Sequence, residues 1–219
     1  MDEYKYTLRA WQALDKTPFL KKLIVQASDM TGQDQWQPFP IGLNYSYAVN
    51  LKLTGLGFAT QKEKLVLCAL NVHTDSQRRQ HQAINRARIV ATTLVGRTNV
   101  FLQAHDYFRV LPHYKFVVSP EGNGIDCHRH YETLLTGGIP IVEHNPLIEA
   151  KYKGCPILYT TDYREITEAY LMAKYTEMLD QTFDFACLFL PFYDVATQHT
   201  IKTCGNYWMK RLTNKHWYL

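Results

Sequence analysis

YKFVVSPEGNGIDCHRHYETLLTGGIPIV, residues 114–142, is the stretch that decides the fold. Phe116–Val118 is a short apolar run of the kind buried in a parallel sheet. Ser119–Ile125 comes next as a loop with two glycines and an asparagine, residues that let a backbone approach a ligand closely. Asp126 is a good N-cap, so a helix is expected over Asp126–Thr136, ended by Gly137 or Gly138 in the left-handed conformation. Ile139–Val142 is the next buried strand. The whole is one βαβ unit, and its helix turns free N–H groups and a partial positive charge toward whatever lies over the loop. Arg129 and Glu132 are three apart on that helix and share a face, while Leu134 and Leu135 point toward the sheet.

Outward from this unit, apolar runs alternate with helical periodicity. Further strands are expected at Leu23–Gln26, Leu65–Leu70, Asn99–Gln103 and Ile157–Tyr159. Helices are expected at Ser76–Leu94, His105–Leu111 and Arg164–Leu179. Trp36–Thr60, rich in Pro and Gly, reads as an irregular connector. The tail from Phe183 reads as helical and aromatic, broken at Pro191. Strand and helix alternate from residue 65 onward, which predicts an α/β fold: a Rossmann-like open parallel sheet flanked by helices. A short helix and strand form an N-terminal appendage. Residues 1–45 are then appendage and connector, and residues 46–219 the sheet domain.

Composition sets bounds. In 219 residues, 46% are hydrophobic and 20% charged, the balance of an ordinary globular domain. The net charge of +4 suits an anionic small ligand as well as nucleic acid and selects neither. No Lys/Arg run is dense enough for a nucleic-acid tail. The five cysteines are odd in number, widely spaced and without a C-x-x-C pair, so reduced thiols are expected. The polar N-terminus has no secretory pattern, and no apolar stretch approaches the roughly 18 residues of a bilayer span. A cytoplasmic protein is the expectation.

An Arg beside a Glu at the mouth of a Gly-Asn-Gly loop can serve one ligand with two needs. The guanidinium pairs with phosphate and the carboxylate accepts the hydroxyls of a ribose. The plain alternative is an i,i+3 salt bridge beside a tight turn, and the residues alone leave both open. Arg78, in the first turn expected after the first sheet strand, can reach an anion at the sheet edge. Cys127, His128 and His130 crowd together, but neighbours on a helix diverge and no second ligand pair stands at zinc spacing. His128 is left as a pocket-lining candidate. There is no D-x-D triplet, no G-x-S-x-G elbow and no G-K-[ST], which argues against metal-chelating transferase, hydrolase and P-loop chemistry.

Residues 119–142 resemble the core motif of the exostosin-like glycosyltransferases, whose pattern S-P-x-G-N-G-x-D-x-x-R-x-x-E-x-L-x-x-G-x-I-P-I-V is met without a gap from Ser119 to Val142. Glu121 departs from the basic residue of many relatives, and His130–Tyr131 from a common Thr-Trp. Pro38–Gly42, Asn71–Arg79, Asp162–Ile166 and Gly205–Trp208 resemble further family elements. The resemblance implies the C-terminal half of a two-domain GT-B architecture and metal-independent transfer of a sugar from a UDP- or GDP-sugar to a glycan or other hydroxyl acceptor. It implies Arg129 and Glu132 as the catalytic pair. Arg78, Arg79, Ser119, Gly122, Asn123, Gly124, Asp126 and His128 would hold the nucleotide sugar. GT-B enzymes use two comparable domains, so a second chain supplying the acceptor half, a non-catalytic binding subunit and a decayed interaction module remain open.

Overall fold

The computed structural model describes residues 23–26, 36–44, 61–71, 99–122 and 124–203. The expected helix Ser76–Leu94, and with it Arg78 and Arg79, lies outside them, as do Asn123 and Gly205–Trp208.

Four strands carry the molecule: β3 (Lys64–Leu67), β4 (Tyr114–Val118), β5 (Ile139–Glu143) and β6 (Leu158–Thr160). All are parallel and stand side by side in chain order, with Val66 opposite Phe116, Phe116 opposite Ile139 and Ile141 opposite Leu158. The continuous apolar runs are explained by helices on both faces. Phe116, Val118, Ile139 and Ile141 pack on one face against Tyr163, Ile166 and Leu171. On the other face Val117 meets Tyr107, Phe108 and Leu111, and Val142 meets Tyr131, Leu134 and Ile148. The result is an α/β architecture with a parallel sheet between helical layers, compatible with a Rossmann-like fold.

The helices are α1 (Ala104–Val110), α2 (His128–Leu135), α3 (Pro146–Lys151) and α4 (Glu168–Leu179). α3 is the helix implied between β5 and β6; the Asn145 side chain caps it by accepting from Leu147 N at 3.0 Å, with Pro146 opening the first turn. α4 begins later than Arg164 because the chain offers two caps. Asp162 accepts from Arg164 N and closes one 3-10 turn, Tyr163–Glu165, and Thr167 then caps the helix through Tyr170 N.

Two expectations are corrected. Trp36–Phe39 is not irregular: it forms strand β2, parallel to β1 (Leu23–Gln26) in a separate two-stranded sheet. Pro38 is tolerated because each strand of such a pair has an open edge, where a missing N–H costs nothing. Asn99–Gln103 is not a strand. The Asn99 side chain both accepts from Leu70 N (2.9 Å) and donates to Leu70 O (2.8 Å), and Val100 N donates to Cys68 O (3.0 Å). One side chain replaces a ladder, and Phe101 turns outward, 86% exposed.

The tail is also only partly as expected. Ala186–Leu188 and Leu190–Phe192 are 3-10 turns, the second carrying Pro191, and a helix runs over residues 195–203. The Cys155 and Cys187 sulfurs, 3.4 Å apart, join this tail to the loop before β6.

α2 ends in a Schellman motif: Gly138 N donates to Thr133 O (2.9 Å), Gly137 N to Leu134 O (3.0 Å), and Gly137 has φ +72°. Gly137→Ala should therefore cost about 1 kcal/mol, since a Cβ is disfavoured there by that much. Urea melts of the two proteins check this, and an unchanged midpoint would contradict it.

Candidate functional site

In parallel sheets the ligand rim is formed where strands end and helices begin. At the end of β4, Ser119 N continues the ladder to Ile141 O (2.9 Å), and Ser119 itself is fully buried. Glu121 N donates to the Glu143 Oε2 at 2.7 Å, and Gly122 N donates to Gly124 O at 3.0 Å. Pro120 has no N–H. The first amides of the loop are thus committed inside the protein, and an anion at this helix start has to be met by amides later in the loop or by side chains.

α2 is capped by Cys127, not by Asp126, and the cap makes no side-chain hydrogen bond to the helix. Asp126 has another task. Only 2% exposed, its carboxylate accepts from Tyr152 OH (2.6 Å), Ile41 N (3.1 Å), Tyr131 OH (3.4 Å) and Lys151 Nζ, with His130 Nδ1 3.6 Å away. Burial alone would raise its pKa, but the neighbouring His130 and the Lys151 charge outweigh it and hold the carboxyl well below the usual range. Asp126 is a hub that ties loop, α2, α3 and connector together. Its oxygens face protein groups.

His128 is likewise committed. Its Nδ1–H donates to Gly42 O at 2.7 Å, so the ring clamps the Pro38–Gly42 element onto the start of α2. Burial lowers its pKa against the opposing pull of the Gly42 carbonyl and Asp126. His130, fully buried, donates from Nε2 to Ser119 O at 3.1 Å. Cys127 Sγ donates to Pro120 O and Gly124 O.

Arg129 and Glu132 are brought together around a residue that no sequence pattern flags. Tyr107, from α1, lies under the guanidinium with its ring centroid 5.6 Å from Arg129 Cζ, and its hydroxyl interacts with both side chains. Glu132 is 3% exposed. Burial pushes its carboxyl up to about 7, against Arg129 and the Tyr107 hydroxyl, which pull it down. Burial works against the Arg129 charge, but Tyr107 and Glu132 outweigh it and keep the guanidinium protonated. Arg129 also opposes the rise, to about 11, that burial imposes on the Cys68 thiol just past β3. The pair sits in the first turns of α2, just after β4, with Arg129 over Tyr107 of α1, the helix that lies between β3 and β4 in the chain. Arg129 Nε, Glu132 Oε1 and Ser119 Oγ are among several buried side-chain atoms, Thr133 Oγ1, Glu143 Oε1 and Tyr159 OH included, that have no hydrogen-bond partner among the described residues.

The structure thus splits the expected site. Arg129, Glu132 and Ser119 keep polar atoms unspent, Gly122 and Gly124 shape the loop between them, and Asp126 and His128 are turned to structural work. Tyr107, Lys151, Tyr152 and Glu143 are additions. No sequence signal marks them, because each reaches the site from another element.

Comparison with family models and with curated protein sequences finds no match. Among the described residues, no helix is long and apolar enough to cross a membrane.

Proposed function

We propose that the chain binds a nucleoside diphosphate sugar beside the first turns of α2 and transfers its glycosyl unit to a hydroxyl acceptor, as a metal-independent glycosyltransferase of GT-B type. The single observation that carries this is the cluster of half-buried Arg129 with buried Tyr107 and Glu132, its Nε and Oε1 atoms unspent, at the start of the helix that follows β4. A buried charge with unused hydrogen-bonding capacity is costly unless a ligand completes it. A diphosphate is a fit for the guanidinium and a ribose diol for the carboxylate. The motif resemblance over Ser119–Val142 supports the same ligand class.

In the transfer, the bond from the anomeric carbon to the diphosphate oxygen breaks and a bond to the acceptor oxygen forms. The acceptor proton passes to a base. Arg129 offsets the charge that grows on the departing diphosphate. UDP-sugars and GDP-sugars are the donors to test, and a second chain that completes the acceptor side is a partner to look for.

Calorimetric titration with UDP-, GDP- and CMP-sugars tests this. One class should bind, and Arg129→Ala should weaken it by about tenfold to a hundredfold, the worth of a charge-assisted contact, with circular dichroism unchanged. A wild-type protein blind to all three classes overturns the reading. Release of free sugar or transfer to added oligosaccharides separates an enzyme from a binding subunit.

A further inference from the structure

We infer that Glu143 is a positioning residue of this site: its buried carboxylate, at the end of β5, latches the backbone at Glu121, in the loop that follows β4. The inference rests on the donor-binding reading above.

Three contacts fix the loop to β5 and the segment just beyond it. Ser119 N is held by Ile141 O (2.9 Å), as a last rung of the ladder. Two residues on, Glu121 N has no strand carbonyl opposite and is met instead by the Glu143 side chain at 2.7 Å. Asn145 Nδ2 then reaches Glu121 Oε1 at 3.3 Å. Glu143 thus extends the ladder by one rung with a side chain, at the place where the backbone turns away toward α2.

The choice of residue is informative. Glu143 is 4% exposed, and a carboxylate buried that deeply is costly unless protein groups hold it; the Glu121 amide is one of them. Burial raises its pKa; the Glu121 amide and the Tyr163 hydroxyl pull it back down, while the Glu121 carboxylate adds to the rise. Cys127, at the cap of α2, is close enough to feel the Glu143 charge. The groups facing Glu143 are therefore loop residues, one tyrosine beyond β6 and the cap of the donor-site helix. What the latch decides is presentation. The amides of 119, 121 and 122 are all held inside the protein, so the latch fixes which part of the loop backbone is turned away from a ligand beside Arg129.

The test has two independent readouts. Glu143→Leu removes the acceptor at similar volume, and Glu143→Gln keeps a neutral one. In the ligand-free protein, NMR amide exchange at Glu121 should quicken at least about tenfold in the leucine variant and stay near wild type in the glutamine variant. Affinity for UDP should fall about tenfold in the first and be restored in the second. If the leucine protein does not fold, Glu143→Ala, which lets water meet the amide, carries the same comparison. Unchanged Glu121 exchange without the acceptor, or an unchanged UDP affinity, overturns the inference. A wild-type protein that binds no UDP or GDP refutes the donor-site reading instead, and the exchange data then still decide whether the latch exists.

Discussion

Asp126→Ala is expected to unfold the protein, or to leave it within reach of unfolding at ambient temperature. Five partners converge on that carboxylate: Ile41 N, Tyr131, Tyr152, Lys151 and His130. Alanine leaves the Lys151 charge and two buried hydroxyls facing a hole. Breaking a buried pair by removing one partner costs about 3–5 kcal/mol, against a total stability on the order of 5–15 kcal/mol for a domain. Asp126→Asn should fall between, because it keeps the acceptor for Ile41 N and loses the charge opposite Lys151. The pH dependence has a definite sign. A carboxyl held well below its ordinary range is ionised in the folded state where the unfolded chain binds a proton. Its contribution is present above the unfolded value near 4 and fades as pH falls below it. Acid titration of the asparagine variant should lack this component. Urea melts and soluble yield give the answer. An alanine variant that melts like wild type but fails to bind a sugar nucleotide would return Asp126 to the ligand-binding role expected from its place in the motif.

How far the sequence can be read depends on the length scale of each interaction. The βαβ unit is legible because its signals are local: apolar runs at Phe116–Val118 and Ile139–Val142, and a Gly pair that stops α2. Arg129 and Glu132 share a face by helical spacing alone. Four things are not legible. A strand at Trp36–Phe39 depends on its partner Leu23–Gln26, and Pro38 argues against it unless the pair has an open edge. The failure of Asn99–Gln103 as a strand turns on one side chain, Asn99, reaching Leu70 across 29 positions. Asp126 looks like a cap in one dimension; its role as a hub needs Lys151 and Tyr152, 25 and 26 residues away. Tyr107 likewise enters the site from α1, and nothing in its own segment says so. Side chains that act across elements write no local pattern.

Glu132→Gln should separate stability from binding in opposite directions. The carboxyl titrates near 7 in the folded protein against an ordinary 4.5, because burial outweighs Arg129 and Tyr107. Between those values the folded state keeps a proton that the unfolded chain has released. Stability therefore falls as pH rises through this window and levels off above it. The shift is worth about 3 kcal/mol at pH 8. Glutamine mimics the protonated form, so the variant should be more stable than wild type at pH 8 by about that amount and equal to it near pH 4.5. Binding should run the other way. If the ionised carboxylate accepts the ribose hydroxyls, affinity for a UDP-sugar improves about tenfold from pH 6 to pH 8 in wild type, since the donor's diphosphate diester has no proton to lose there. The variant should bind more weakly and show no such slope. Calorimetry in buffers of different ionisation heat would also register the proton that wild type releases on binding at pH 7. A glutamine variant less stable than wild type at pH 8 would mean that Glu132 is a structural partner of Arg129. A flat wild-type profile would mean that the diol is held by some other group. On the proposed reading, stability given up at Glu132 is returned as affinity for the donor, and the two opposite pH slopes are the signature of that exchange.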